Sequence, residues 1–296
     1  MVGVLTAPDR QAGRGKKIRR SEIKDYVLQQ EKPIPILQPE SLKDPAFLKE
    51  LRDLKPDLQV VVAFRMLPEM VWSIPPMGTF NLHASMLPQY RGAAPINHVL
   101  MNGEKETGVT TFFIDEKIDT GKILLQERTA IGADETAGEL HDRLMTLGAS
   151  LVLETVLGIS SGQLKAKSQD QYLDSGSGLN LAPKIFKENC RIDWNLPGVQ
   201  LFNLIRGLSP YPGAYTMLER ETGEAMQCKI FKTTFEAAPQ QDAPGTILTD
   251  GKRSLKVSVR DGMIHVHTIQ QEGKRKMDIK DFLAGFSFAN GIYRFS

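Results

Sequence analysis

The sequence predicts an α/β protein in which a doubly wound sheet with helices on both faces precedes a small β-barrel. Strand-like apolar runs alternate with helix-periodic segments between Met1 and Leu151, the pattern of a layered α/β sheet. The run Leu58–Phe64 (LQVVVAF) is apolar but for Gln59 and Val-rich, as expected of a strand covered on both faces. Beyond Arg191, five short strand-like runs separated by turn residues indicate a barrel.

Taken in order, Met1–Thr6 (MVGVLT) reads as a buried strand. Ala7–Arg20 follows, with Arg10, Arg14, Lys16, Lys17, Arg19 and Arg20 against a single Asp9, and its glycines and proline argue for a loop over a helix. Such a charge run is most often a solvated surface. Here it follows a strand, at the sheet end where parallel α/β proteins bind ligands. Ser21 is a candidate N-cap for a helix to Glu31. Pro35–Leu37 reads as a strand, and Asp44–Leu54 as an amphipathic helix with Phe47, Leu48, Leu51 and Leu54 at helical spacing.

The stretch Thr79–Gly121 holds most of the chemistry. A short strand ends at Asn81 and His83, which are i and i+2 and so face the same way. Pro95 suits the first turn of a helix, and a strand over Gly108–Ile114 delivers the loop Asp115–Gly121 with Asp119. An Asn amide can donate to a developing oxyanion, a His can take a proton from an attacking amine, and a carboxylate can orient that His. This set suits acyl transfer without a covalent enzyme intermediate. Singly, each residue has a plainer reading: a turn-forming Asn, a hydrogen-bonded structural His, a solvated Asp.

Thr136-Ala137-Gly138-Glu139 is a capping box opening a long helix with Leu140, Leu144, Leu147 and Leu151 on one face. From Ser161 to Asn189 the pattern loosens into polar residues with Gly176, Gly178 and Pro183, a linker. The domains are therefore expected at 1–167, with a linker over 168–190 and a second domain over 191–296. In the second, Val199–Gly207 reads as a helix, followed by strands near Ala214–Leu218, Met226–Thr233, Gly245–Thr249, Ser254–Val259 and Met263–Ile269. Its charge is weakly positive, with one dense cluster at Lys274, Arg275 and Lys276. His265 and His267 alternate on a strand without a third ligand nearby, so no metal site is expected.

The whole chain has 296 residues, 41% hydrophobic and 24% charged, and a net charge of +2, too small to imply a polyanionic partner by itself. Cys190 and Cys228 supply neither a disulfide framework nor metal-ligand spacing. No signal peptide and no apolar run long enough to span a membrane stand out, so a cytoplasmic protein without membrane association is expected.

Asn81-Leu82-His83, Ser85-Met86-Leu87-Pro88, Tyr90-Arg91-Gly92-Ala93-Ala94-Pro95 and Asp119-Thr120-Gly121 together resemble the core of the 10-formyltetrahydrofolate-dependent formyltransferases. The similarity extends to the loop near Pro8 and to Arg191-Ile192-Asp193-Trp194. The resemblance implies a Rossmann-like catalytic domain and an OB-like C-terminal domain that binds tRNA. It implies Asn81, His83 and Asp119 as catalytic residues and Ser85, Met86, Leu87 and Pro88 as the tetrahydrofolate-binding turn. It assigns Arg10, Arg14, Lys16 and Lys17 to tRNA contact. The expected reaction moves the formyl group of 10-formyltetrahydrofolate, a co-substrate, to the α-amino group of methionine on initiator tRNA, in a metal-independent monomer. The alternatives are a relative acting on a small amine such as an amino-sugar nucleotide, which needs neither the basic loop nor the barrel, and a tRNA-binding module with a decayed site, against which the intact Asn81, His83 and Asp119 argue. Members of the family carry a strand and helix, ~30 residues, before the segment matching Val2–Thr6. An additional N-terminal βα unit ahead of Met1 is therefore expected.

Overall fold

The computed structural model describes residues 1–12, 17–173, 178–240, 242–288, 291 and 293–296. The chain divides into two units, one of Met1–His83, Thr111–Leu125 and Val152–Gln171, the other of Ala84–Thr110, Gln126–Leu151 and Tyr172–Ser296.

The first unit begins with β1 (Val4–Leu5), β2 (Arg10–Ala12), β3 (Lys17–Arg19), α1 (Glu22–Leu28), β4 (Ile36–Leu37), α2 (Pro45–Asp53), β5 (Gln59–Val62), α3 (Glu69–Trp72) and β6 (Thr79–His83). Caps set the helix starts as the sequence suggests. Ser21 Oγ accepts from the Lys24 amide ahead of α1, and the Asp44 carboxylate accepts from the Ala46 amide ahead of α2. The spacing of Phe47, Leu48 and Leu51 turns one face of α2 onto Leu37, Leu42 and Val71. Each such side chain contributes about 1.5–3 kcal/mol on full burial. β1 pairs in parallel with β4, and β5 with β6 in the register Val61↔Asn81, Val62↔Leu82.

Three expectations change here. The segment after β1 is not a plain loop: β2 and β3 pair antiparallel, Arg10↔Arg19 to Ala12↔Lys17, a short two-stranded ladder with charged residues, as an uncovered sheet edge tolerates. Arg14 and Lys16 lie outside the described residues, as does the side chain of Lys17; Arg10 is exposed. β1 is half-buried, with Met1 and Val2 exposed, so Met1–Thr6 is not the fully covered strand expected. β5 is not covered on both faces either. It ends the sheet order β5-β6-β8-β9, and Val60 and Val62 are 42% and 54% exposed.

The remaining elements are β7 (Arg91–Gly92), α4 (Pro95–Met101), β8 (Glu106–Phe113), β9 (Ile123–Ala130), α5 (Ala137–Ser160), β10 (Leu181–Ala182), α6 (Gly198–Leu208), β11 (Ala214–Arg220), β12 (Ala225–Ala237), β13 (Ile247–Thr249), β14 (Leu255–Val259), β15 (Gly262–Gln271), β16 (Met277–Asp278), α7 (Ile279–Gly285) and β17 (Tyr293–Phe295). The capping box forms: Thr136 donates its amide and hydroxyl to the Glu139 carboxylate, and Thr136 Oγ1 accepts from the Glu139 amide. Contrary to expectation, α5 is by length and composition apolar enough to cross a membrane. Glu154 is its only charge beyond Arg143, and capped, Leu-rich core helices reach the same composition. Leu140, Leu144 and Leu151 are buried, whereas Met145, Leu153 and Leu157 are exposed.

In the second unit, an antiparallel sheet runs β13-β14-β15-β12-β11-β17, with β16 on β15. Thr246 bridges Arg294 and the Phe295 amide donates to Gly245 O, so the two ends of the sheet meet as a barrel requires. Its core is built from Trp194, Leu201, Ile205, Leu208, Ile230 and Ile264, with the Trp194 ring stacked on Phe295 at 5.6 Å and its Nε1 donating to Thr216. His265 lies 2.6 Å from Glu236 Oε2 and His267 2.9 Å from Thr234 Oγ1, so each has a local polar neighbour.

Candidate active site

β6 carries Asn81 and His83 on one face because strand side chains alternate. Asn81 is half-buried, whereas His83 is 6% exposed with its ring edge-on to Phe112, centroids 6.4 Å apart. Phe112 comes from β8, whose end is tied to the base of β6 by the Ile114 amide donating to Thr79 O at 2.9 Å.

The loop after β8 brings Asp119 to the same place. Asp115 Oδ1 accepts from the Lys117 amide and from the Thr120 hydroxyl, folding 115–120 into a tight turn. Asp119 itself sits at φ +56°, a left-handed conformation that Asp tolerates better than most residues. Two residues on, the chain passes so close to β8 that a Cβ on Gly121 would lie 1.7 Å from Phe113 O. Only glycine fits there without moving backbone. The outcome is a separation of 3.8 Å between His83 Nδ1 and Asp119 Oδ2, with both side chains largely shielded from water. A carboxylate at that distance steadies an imidazole as it takes up a proton.

The turn Ser85–Pro88 is fixed by polar bonds within the second unit. Ser85 is fully buried and its Oγ donates to Gln89 O. Thr110 Oγ1 donates to Ser85 O and accepts from the Leu87 amide, while Gln126 Nε2 donates to Leu87 O at 2.8 Å. Leu87 and Pro88 are buried and Met86 half-buried. Next in the chain, Tyr90 donates to the Glu104 carboxylate and accepts from Asn102, and its amide donates to Asn180 O. Burial first, then the Glu104 carboxylate, push the Tyr90 phenol upward from its ordinary value. Gly92, at φ +129°, lets β7 approach β10: a Cβ there would stand 2.2 Å from Ala182 O.

Comparison with known proteins decides the family. The sequence model of the family "Formyl transferase" matches residues 1–156, and that of "Formyl transferase, C-terminal domain" matches residues 184–287. This chain belongs to the formyl transferase family. Curated relatives called methionyl-tRNA formyltransferase include one from Bacteroides thetaiotaomicron, 51% identical over 98% of this chain and 89% of its own length. Another, from Flavobacterium johnsoniae, is 46% identical over 98% of this chain and 90% of its own. HypX from Aquifex aeolicus, solved in complex with tetrahydrofolic acid, superposes with a TM-score of 0.61 at 19% identity, over 87% of this chain and 44% of that one. The sugar 3N-formyl transferase WlaRD superposes at 0.57 with 18% identity, over 93% and 99%. At that identity the likeness concerns the fold, an N-terminal Rossmann-like domain with a C-terminal barrel sheet.

Within this formyl transferase, His83 and Asp119 face each other and Asn81 shares the strand face of His83. Sequence reasoning missed Thr110 and Gln126, which hold the Ser85–Pro88 turn, and Gln169, which holds the Asp119 loop, each by side-chain hydrogen bonds. Their partners are mostly main-chain carbonyls, which leave no pattern in a sequence. Among the described residues no group of three or more His, Cys, Asp or Glu is placed to hold a metal ion.

Proposed function

We propose that this formyl transferase moves the formyl group of 10-formyltetrahydrofolate to the α-amino group of methionine esterified to initiator tRNA. The observation that carries the reading is the set of relatives bearing the name methionyl-tRNA formyltransferase, 46–51% identical over 97–99% of this chain. The solved sugar formyltransferases among its structural neighbours are only 17–21% identical and speak to fold.

In the mechanism we assign, the amine nitrogen attacks the formyl carbon and the carbonyl oxygen becomes an oxyanion. The Asn81 amide donates to that oxyanion. His83 accepts the proton released by the amine and returns it to the folate nitrogen as the carbon–nitrogen bond to folate breaks. Tetrahydrofolate and formylated aminoacyl-tRNA leave, so atoms and charge balance. Asp119 orients His83 and offsets its positive charge. Ser85–Pro88 shape the folate site, the 191–296 domain binds tRNA, and Arg10, Arg14, Lys16 and Lys17 contact its phosphates. The 1–167 and 168–190 boundaries complete the proposed division, and the substrates place the reaction in the cytoplasm.

The test is direct. Purified protein is given 10-formyltetrahydrofolate labelled in the formyl group, with methionyl-initiator tRNA in one arm and amino-sugar nucleotides in the other. Label transfer to the tRNA is expected; transfer to the sugar arm alone overturns the proposal.

A further inference from the structure

Gln169 opens a short 3-10 helix (Gln169–Tyr172) inside a polar stretch that reads as linker, yet it is 3% exposed. A backbone bridge puts it there. Ile123 and Lys167 exchange both amide–carbonyl bonds at 2.8 Å, laying the chain after α5 along the start of β9. Two residues further on, the Gln169 Nε2 donates to Asp119 O at 2.9 Å and to Gly121 O at 2.8 Å. One amide thus spans the loop on both sides of Thr120, across the residue whose φ is positive and the glycine pressed against Phe113.

We infer that Gln169 is a positioning residue for the transfer reaction, holding the Asp119 backbone so that its carboxylate stays aimed at His83. The inference rests on the reading of Asp119 as the partner of His83. Gln supplies what the place requires: two N–H donors on one planar group, uncharged, in a buried site where an unpaired carbonyl is unfavourable. Without the clamp the loop keeps its Asp115 turn but loses the two bonds that pin its backbone on either side of Thr120, where Asp119 sits in the left-handed region. Asp119 would still be present, only misplaced.

Gln169→Met keeps length and bulk and removes both donors. We expect cooperative unfolding like the parent's, a kcat lower by on the order of 10²-fold, the size of effect an ångström of misplacement produces, and unchanged KM for both substrates. In an Asp119→Asn background the same change should lower kcat no further, because both act through one carboxylate. Should Gln169→Met not fold, Gln169→Glu, isosteric and unable to donate when ionised, carries the test with the same outcomes. Native kcat in a folded Gln169 variant, or a double variant showing the full product of the two single losses, overturns the inference while leaving the role of Asp119 standing. Native kcat in Asp119→Asn removes that role and the inference with it.

Discussion

His83 Nδ1 lies 3.8 Å from Asp119 Oδ2, beyond hydrogen-bonding range and close enough for charge to be felt. The pair is held from behind on both sides, the ring by Phe112 and the loop by Gln169. Hydrogen bonds between catalytic groups commonly tighten in the complex with substrate.

Replacing His83 by Ala should lower kcat by roughly 10²–10⁴-fold, as for a lost general base. Asn81→Ala should cost about 3 kcal/mol of transition-state stabilisation, the usual size for one oxyanion donor. Both variants should bind folate and unfold like the parent. A folded His83→Ala protein with near-normal turnover would remove His83 from the mechanism.

Gly121→Ala places a methyl against the Phe113 carbonyl, and backbone has to move. We expect a loss of about 1–3 kcal/mol in unfolding free energy, with turnover falling further than stability because the displaced segment carries Asp119. Urea unfolding and single-turnover kinetics on one preparation separate the two. Unchanged stability would mean that the loop accommodates the methyl elsewhere.

Neutralising Arg14, Lys16 and Lys17 together should weaken tRNA binding and make log affinity fall less steeply with log salt, because each phosphate contact releases counterions. Folate affinity should hold. A salt slope identical to the parent's would relegate the segment to solvated surface.

Tyr90 supplies a pH test. Its phenol is pushed upward, first by burial and then by Glu104, so the folded state keeps the proton longer than the unfolded chain, which releases it near pH ~10. The associated stability is present below that pH and is lost as pH climbs through the folded-state value. Tyr90→Phe should therefore flatten the alkaline decline in unfolding free energy. The decisive quantity is the difference between the two proteins above pH ~10; no difference there would place the alkaline sensitivity in other groups.

Much of this was readable from residues alone. Apolar spacing located α2, α5 and α6, the Thr136–Glu139 box located the start of α5, and strand alternation put Asn81 and His83 on one face. The exposure of Val60 and Val62 was not, since a covered and an uncovered Val-rich strand have the same composition. The β2–β3 hairpin was hidden by charge and glycine, which suggest coil even where a short ladder forms. Gln169 was hidden for a different reason: it stands 50 residues from Asp119 and donates to backbone carbonyls of that loop, so neither periodicity nor motif marks it.

That distance bears on how the protein can be cut and recombined. The N-terminal family match ends at residue 156, and the boundary expected from sequence falls at 167; Gln169 lies past both. A fragment ending at either point would keep Asn81, His83 and Asp119 yet surrender the side chain that braces the loop. In chimaeras between relatives, a junction at 156 or 167 would pair one parent's loop with the other parent's brace. Grafts joined after Tyr172 keep loop and brace from one parent.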